Sequence, residues 1–432
     1  MNISSVVSNP LVIRFRYLIY LLFLPLISSL YGQTVLENKI YSPDVKSAQL
    51  YKVGWPLSQP FLKLGGTDQL LLSFDDLTGS AESYSYTVVH CNSDWEESGL
   101  NPVEYIDGFS VNPILNYKYS FSTTYRYVHY ELLLPNRDLN FKISGNYVVK
   151  VTKEGDVLSS LIKRFYVVDN KVSIKATVKP PINSLYRDTH QDLKFSIYYP
   201  NLKISNPHSD ISVFIHQNGR EDNEVRHLKA QYIRPDELVY DYFTETLFEG
   251  LNEFRWLDIR SFRFQSERTA AVGYYDPFYH VDVVPDYTRN EVVYFFRQDY
   301  NGKYILNVKE GRDPALEADY AFAHLFVPLD APFVNSSLHL FGDAFGWNAS
   351  DENQFQYNFD THRYEFTTLL KQGLYDYMIG VKEQGKEVLD FSRFEGNNRF
   401  AENDYTIFVY YKAVTDNYEQ LIGLEIVNSL RK

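Results

Sequence analysis

The chain has 432 residues and a formal charge of −13, and 16% of its residues are aromatic. A surface this acidic argues against binding to nucleic acid or to anionic lipid, because both need clustered lysine and arginine side chains. Cys91 is the only cysteine, which excludes an intramolecular disulfide. Each core must therefore be stabilised by packing, for which the abundant aromatic side chains are suited.

The first 32 residues have the pattern of a secretory signal peptide. Arg14 and Arg16 are their only charges, and an apolar run from Leu18 to Ile27 and then small residues up to Gly32 follow. Because the run is short for a bilayer span, we expect cleavage near Gly32 rather than an uncleaved anchor. No cysteine follows the run for lipid attachment, and no later stretch is apolar enough for a transmembrane helix. We therefore predict an exported chain that does not insert into a membrane.

Alternation with a period of two residues predicts strands along the rest of the chain. Within Tyr84–Cys91, four residues starting at Tyr84 fall on one face and the other four on the opposite face. The same alternation predicts a strand over residues 124–131. We therefore expect an all-β protein.

Turn and helix signals are short. Asn218-Gly219 and Asn301-Gly302 predict hairpins, because both turn positions tolerate positive φ. Single helical turns are expected around residues 313–323 and 367–372, and no longer window has helical periodicity.

A glycine turn followed by an aromatic-led strand recurs three times. The glycines are Gly145, Gly250 and Gly373, which are 105 and 123 residues apart. This spacing matches the roughly 100 residues of an immunoglobulin-like sandwich. We predict three tandem immunoglobulin-like β-sandwich domains after the signal peptide, with linkers near Asn170 and Asp286. The predicted segments are 1–32 for the signal peptide and 33–170, 171–286 and 287–432 for the sandwiches.

Tyr147 occupies the position of a tyrosine corner, in which the hydroxyl group bonds to upstream backbone. Val149 stands where an antibody domain carries a cysteine. The sandwich is therefore predicted without the disulfide of antibody domains.

A transmembrane barrel is the competing all-β architecture, since it would also show alternating strands and many aromatic residues. Charges such as Arg126 and Glu131 on both faces of one predicted strand argue against it, because lipid-facing charge is costly.

Catalytic motifs such as G-x-S-x-G, H-E-x-x-H and the phosphate-binding glycine loops are absent from the sequence. We expect a protein that is not an enzyme and has no cofactor, metal or small-molecule substrate. The densest polar cluster offers His90, Cys91 and Asp94 as conceivable zinc ligands. Neighbouring strand residues point to opposite faces, which favours instead a strand that ends in an Asx turn with Cys91 packed as an apolar group.

Asp75 and Asp76 are a second conceivable site, as a pair of carboxylates. General acid–base pairs need both carboxylates aimed at one cleft. As neighbours at a strand end, these two are expected to close a turn instead.

Several ordered segments resemble the plug protein of the type 9 secretion system. They are Leu71–Leu77, Tyr84–Trp95, Glu104–Phe109, Val128–Tyr130, Pro135–Asn136, Ser144–Tyr147, Arg164–Val168, Asn252–Arg255, Asp258–Arg260, Asp299–Gly302, Leu421–Gly423 and Asn428–Ser429. The resemblance covers most of the mature chain and rests on the ordered set rather than on one motif.

The resemblance implies a location and a partner. The chain would lie in the periplasm at the inner face of the outer membrane, and its partner would be the very large outer-membrane β-barrel translocon of that system. Its function would be to close the periplasmic opening of the translocon when no substrate passes. The family supplies no catalytic residues.

A second, weaker likeness concerns the third predicted domain. Leu338–Trp347 and Gly373–Tyr377 resemble the early-set β-sandwich modules that accompany starch and glycogen enzymes. This leaves open an alternative function, a glycan-binding or cell-envelope adaptor protein, with Trp347 as the candidate glycan contact. The competing interpretation is that Trp347 fills a core or caps a sheet edge, because a shared fold does not carry function with it.

Overall fold

The all-β prediction is confirmed in a computed structural model, which describes residues 35–242, 244–386 and 388–430. The predicted signal peptide lies outside the described residues. Within the part of the chain that is described, no helix is long and apolar enough to cross a membrane.

The described residues form thirty strands, four single-turn α-helices and one 3₁₀ turn. In chain order the strands are β1 (Lys39–Ile40), β2 (Val45–Lys52), β3 (Phe61–Lys63), β4 (Leu70–Asp76), β5 (Tyr84–Cys91), β6 (Ile106–Gly108), β7 (Asn112–Ile114), β8 (Asn116–Tyr119), β9 (Val128–Leu134), β10 (Leu139–Phe141), β11 (Gly145–Lys153), β12 (Leu161–Val168), β13 (Ser173–Lys179), β14 (His190–Tyr198), β15 (Ile211–Gln217), β16 (Val225–Leu228), β17 (Tyr232–Arg234), β18 (Glu237–Tyr240), β19 (Leu247–Glu249), β20 (Arg255–Asp258), β21 (Thr269–Tyr275), β22 (Phe278–Val283), β23 (Tyr304–Leu306), β24 (Tyr320–Pro328), β25 (Ser336–Phe341), β26 (Gln356–Asn358), β27 (Arg363–Lys371), β28 (Gly373–Glu383), β29 (Asp404–Tyr411) and β30 (Gln420–Asn428). The helices are α1 (Pro102–Tyr105), α2 (Pro207–Asp210), α3 (Pro314–Glu317) and α4 (Ser392–Glu395), and the 3₁₀ turn is Asp351–Asn353.

The first sandwich packs the sheet β1-β12-β11-β5-β7 against the sheet β2-β4-β9-β8. The alternation predicted for β5 is present, since Tyr84, Tyr86 and Val88 are buried in the core between the two sheets. Tyr147 lies in the same core, and its hydroxyl donates to the carbonyl of Ile143 at 2.9 Å, which confirms the predicted tyrosine corner.

Strand pairing in the other two sandwiches differs from the predicted linear order. β29, near the end of the chain, pairs with β15 over all seven residues of Ile211–Gln217, so it completes the core formed by β13–β19. β20 pairs with β28, and β21 and β22 join the sheet of β24, β27 and β26. The segments 171–286 and 287–432 therefore exchange strands, because the third sandwich is inserted between two parts of the second. The number of independent domains stays a prediction.

Asp286, near which a linker is predicted, takes part in a buried ion pair. Asp286 is buried, and its carboxylate lies 2.7 Å from the guanidinium group of Arg255, which also pairs with Glu395 at 3.0 Å. Asn170, the other predicted linker, is exposed. Because Val35–Lys432 form one compact unit, the sandwiches share packed junctions.

Local predictions had mixed outcomes. Asn218 and Gly219 have φ values of 56° and 73° and connect the paired strands β15 and β16. Asn301-Gly302 also has positive φ, but the strand that follows it, β23, pairs with β28 rather than with a preceding strand. Of residues 313–323, only α3 is helical. The helical turn predicted at 367–372 is wrong, because residues 367–371 belong to β27, which pairs with β24.

The outer face of β11 and β12 packs on the outer face of β15, β29 and β30. The ring of Tyr166 lies 4.6 Å from that of Phe408, and the hydroxyl of Tyr410 donates to Asn146 Oδ1 at 2.6 Å. This junction between the first and second sandwiches is an apolar cluster that also buries Cys91.

Candidate docking surface

The three residues considered as zinc ligands are not brought together for that purpose. His90 faces the first sandwich, with Nε2 3.3 Å from the carbonyl of Ser144, whereas Cys91 lies in the apolar junction on the opposite face. Burial lowers the pKa of His90 to about 4 and raises the pKa of Cys91 to about 12. Asp94 Oδ1 accepts the N–H of Glu96 at 3.0 Å, which is the expected Asx turn. Among the described residues, no group of three potential ligands could hold a metal ion.

Trp347 is partly buried against the fold. Its ring stands edge-on to Phe254, with the centroids 6.2 Å apart, beside an apolar cluster that includes Phe391. A Cβ atom at Gly302 would lie 2.4 Å from the indole ring. These contacts favour the core-filling interpretation, and the glycan contact stays a prediction.

The neighbouring carboxylates Asp75 and Asp76 have different roles. Asp76 Oδ1 accepts the N–H of Thr78 at 2.8 Å and closes a turn, as expected. Asp75 does not, because it points into the junction between the first and third sandwiches, where it meets Lys371 at 2.7 Å.

Asp75 is the centre of a buried ionic cluster. Asp75 and Lys371 are 1% and 0% exposed. Tyr320 Oη donates to Asp75 Oδ2 at 2.7 Å, and His129 Nδ1 lies 2.6 Å from Asp75 Oδ1. Lys371 Nζ also donates to the carbonyl of Ala315 at 2.8 Å. Each charge is thus paired and hydrogen-bonded, which is what burial of charge requires.

The pKa values follow from this geometry. Burial alone would raise the pKa of Asp75, but Lys371 and His129 hold it below its usual value. Burial lowers the pKa of Lys371 against the attraction of Asp75. The pKa of His129 is raised, because Asp75 and Glu131 outweigh the effect of burial.

Two edge strands near this junction, β8 and β21, and the segment after β8 carry exposed aromatic side chains, which we call together the aromatic belt. Its members and their exposed fractions are Tyr117 (45%), Tyr119 (45%), Phe121 (51%), Tyr274 (49%) and Tyr275 (69%). Tyr117 and Tyr119 belong to β8, and Tyr274 and Tyr275 belong to β21. Within the described residues both strands lie at the edge of their sheets, so one side of each strand presents backbone groups that no described strand covers.

Contacts across the junction hold the segment after β8 against the third sandwich. The N–H of Phe121 donates to the carbonyl of Leu316 at 3.0 Å. The N–H of Thr124 donates to Asp319 Oδ1 at 2.6 Å. Tyr125 stacks on Phe278, with centroids 4.7 Å apart, next to the turn that ends β21. The segment that links β8 to β9 is therefore fixed against the third sandwich, to which β21 belongs.

The aromatic belt is poor in charge. From Gly108 to Tyr125 the only charged residue is Lys118, and from Thr269 to His280 it is Asp276, although 22% of the whole chain is charged. Protein interfaces are enriched in aromatic residues and depleted of charge at their centres. Large exposed apolar patches on a folded protein often mark an interaction site. The sequence pattern does not locate this surface, because tyrosine is suited both to cores and to half-exposed strand positions.

The chain is similar to known proteins in sequence and in fold. The family model described as the type 9 secretion system plug protein 1st domain matches residues 45–169. A crystal structure of a hypothetical protein from Parabacteroides merdae superimposes with a TM-score of 0.89 at 33% sequence identity, covering 92% of this chain and 100% of that one. The C-terminal domain of the AgI/II polypeptide BspA from Streptococcus agalactiae reaches a TM-score of only 0.14 at 7% identity, which carries no argument. A search of curated proteins finds no match.

Proposed function

The first sandwich belongs to the type 9 secretion system plug protein family, whose first-domain model matches residues 45–169, and from this premise we propose that the chain closes the periplasmic opening of the system's very large outer-membrane barrel translocon. Membership of the family connects the chain with protein secretion at the cell envelope and with a component that is not an enzyme. The family match, which covers the first sandwich, is the observation that carries the proposal.

The location forms part of the same proposal. The signal-peptide pattern of residues 1–32 would bring the chain to the periplasm, where it would associate with the inner face of the outer membrane. There it would need no membrane insertion, since its contact would be with the translocon.

A steric role needs a body that deforms little under load. Three cores joined by the apolar junction at Tyr166 and Phe408 and by the ionic cluster around Asp75 supply such a body. Close-packed interiors have low compressibility. A stiff stack of sandwiches is therefore suited to filling a wide pore.

The aromatic belt is the surface through which we propose the translocon is bound. Its low charge favours a desolvated contact, and its free strand edges offer backbone donors and acceptors. A standard interface of about 1,600 Å² can hold partners at micromolar to picomolar affinity. Weak docking suffices, because the plug must leave when substrate arrives.

The test is co-purification of the translocon with the tagged chain from outer membranes solubilised in mild detergent. We expect the wild type to retain a very large barrel as a stoichiometric partner. The double variant Tyr117→Lys/Tyr119→Lys should lose it, because two charges would be desolvated at the contact.

The matched control is Tyr232→Lys, which changes an equally exposed tyrosine (56%) on β17, the edge strand of a sheet in the second sandwich. This control should retain the barrel. Absence of any barrel from the wild-type sample contradicts the proposed function, whereas retention by the belt variant contradicts only the docking surface.

A further inference from the structure

A cavity lies where the three sandwiches meet. Its volume is about 120 Å³, and its walls include Gln49 and Lys163 of the first sandwich, His216 of the second, and Lys303 and Asp343 of the third. A larger cavity of about 490 Å³ adjoins it, because the two have Ala48, Lys163 and Asp343 in common. The proposed docking surface does not use these residues.

Most of the charges around the smaller cavity are paired. Arg164 Nη1 lies 2.6 Å from Glu221 Oε2, and His216 Nε2 lies 2.6 Å from Glu224 Oε1. These two pairs leave two lysines and the carboxylate of Asp343 in the cavity wall, and a second carboxylate, Asp404, also acts on Lys303.

The two lysines are only partly satisfied by the protein. Lys303 Nζ donates to the carbonyl of Leu57. No hydrogen bond or ion pair of the Lys163 ammonium is found in the described part of the chain. Burial lowers the pKa of both lysines, and this is opposed by Asp343 at Lys163 and by Asp343 and Asp404 at Lys303. Both lysine side chains are only half-buried, so the cost of an ammonium group without an anionic partner is partial here.

We propose that this cavity binds a small oxyanion, a phosphate or a carboxylate, between Lys163 and Lys303. An oxyanion supplies the acceptor that the Lys163 ammonium lacks. The volume is sufficient, because an oxyanion of this size replaces only a few waters of about 30 Å³ each.

A ligand in this place would touch all three sandwiches at once. Since it binds the folded arrangement and not the unfolded chain, it would raise the stability of that arrangement in proportion to its concentration. This site acts independently of the translocon, so it goes beyond the proposed function.

The test uses the purified mature chain and inorganic phosphate as the probe, with acetate as the carboxylate probe. Isothermal titration in chloride buffer should give saturable binding, and phosphate should raise the melting temperature. Sodium chloride at matched ionic strength should give neither effect. Binding to Lys163→Met should be weaker by at least ~10-fold, because a charge-assisted hydrogen bond is lost. The control Lys175→Met, at an exposed lysine on β13, should bind as the wild type does.

A second measurement keeps the proposal testable if Lys163→Met folds poorly. In wild-type protein with ¹⁵N-labelled lysine, the ammonium resonance of Lys163 should move with phosphate along the same isotherm. The proposal is overturned if phosphate and acetate do not bind, if sodium chloride reproduces the effect, if Lys163→Met binds like the control, or if the Lys163 resonance stays fixed.

Discussion

Tyrosine has two different roles at the junction between the first and third sandwiches. Inside it, Tyr127 and Tyr320 are buried, and their hydroxyls donate to the carbonyl of Ala318 at 3.0 Å and to Asp75 at 2.7 Å. On its outer side, Tyr117 and Tyr119 of the aromatic belt leave almost half of their surface in water. The comparison separates tyrosines that hold the fold from those available to a partner.

The two regions differ in the number and the pairing of their charged side chains. Every charge in the buried cluster has a partner. Removing one charge therefore leaves its partner buried without compensation, which reduces stability. The aromatic belt has few charges, Lys118 between its tyrosines and Arg126 over the ring of Tyr119 among them, so adding charge there should weaken a contact without unfolding the chain. Changes inside should reduce stability, and changes outside should reduce binding.

The largest effect is expected for Asp75→Ala. This change leaves the Lys371 ammonium buried without its anion and removes the acceptor of Tyr320 and His129. We expect the free energy of unfolding to fall by about 3 to 5 kcal/mol, measured by urea denaturation. The control is Asp107→Ala, at an exposed carboxylate on β6, which should change it by less than about 0.5 kcal/mol. Equal effects of the two substitutions would contradict the role given to the ionic cluster.

The next effect concerns Asp376, a buried carboxyl that faces another carboxyl instead of a paired lysine. Burial and then Asp299 raise its pKa to about 8. Because its pKa in the folded state lies above the unfolded value of about 4, ionisation opposes folding increasingly as the pH rises from about 4 to 8.

Asp376→Asn should therefore gain stability over the wild type as the pH rises, by about 2 to 4 kcal/mol more at pH 9 than at pH 5. The amide oxygen can still accept the N–H of Tyr300. The measurement is urea denaturation of both proteins at the two pH values. A stability difference independent of pH would show that Asp376 is not protonated in the folded state.

A smaller effect is expected at the second half of the aromatic belt. Tyr274→Lys/Tyr275→Lys should weaken binding to the solubilised translocon by at least ~10-fold, or about 1.4 kcal/mol, because it places charge at the contact. Its free energy of unfolding should change by less than about 0.5 kcal/mol, since both side chains are exposed. A variant that loses stability but keeps its affinity would reverse the roles of the two regions.

The smallest effect is expected for Cys91→Ala in the apolar junction between the first and second sandwiches. Cys91 is buried among residues such as Trp95 and Val148, so truncation should cost about 1 kcal/mol of packing. Zinc content after dialysis should be equally low in the wild type and the variant. Stoichiometric zinc that disappears with the substitution would restore the metal-site interpretation.

Local structure was predictable where one strand determines its own pattern. The alternation of Tyr84–Cys91 and the tyrosine corner of Tyr147 are both present. Each depends on side-chain period or on a contact only four residues away.

Long-range organisation was not predictable in the same way. No local signal shows that β29 returns to β15, or that Lys371 reaches Asp75 across 296 positions. The recurrence of glycine turns indicated the size of a sandwich but not which strands it shares. The aromatic belt was missed for a related reason. Whether a strand lies at the edge of its sheet depends on the order of all the strands in that sheet, which no local pattern shows.

The central claim is that the chain closes the translocon. Its most direct test is the uptake of a large antibiotic such as vancomycin by a strain that lacks the chain but retains an uncapped barrel. We predict increased uptake in that strain, restored exclusion on expression of the wild type or of Tyr232→Lys, and no restoration by Tyr117→Lys/Tyr119→Lys. Unchanged uptake in the deletion strain, with the uncapped barrel shown to be present, would contradict the account.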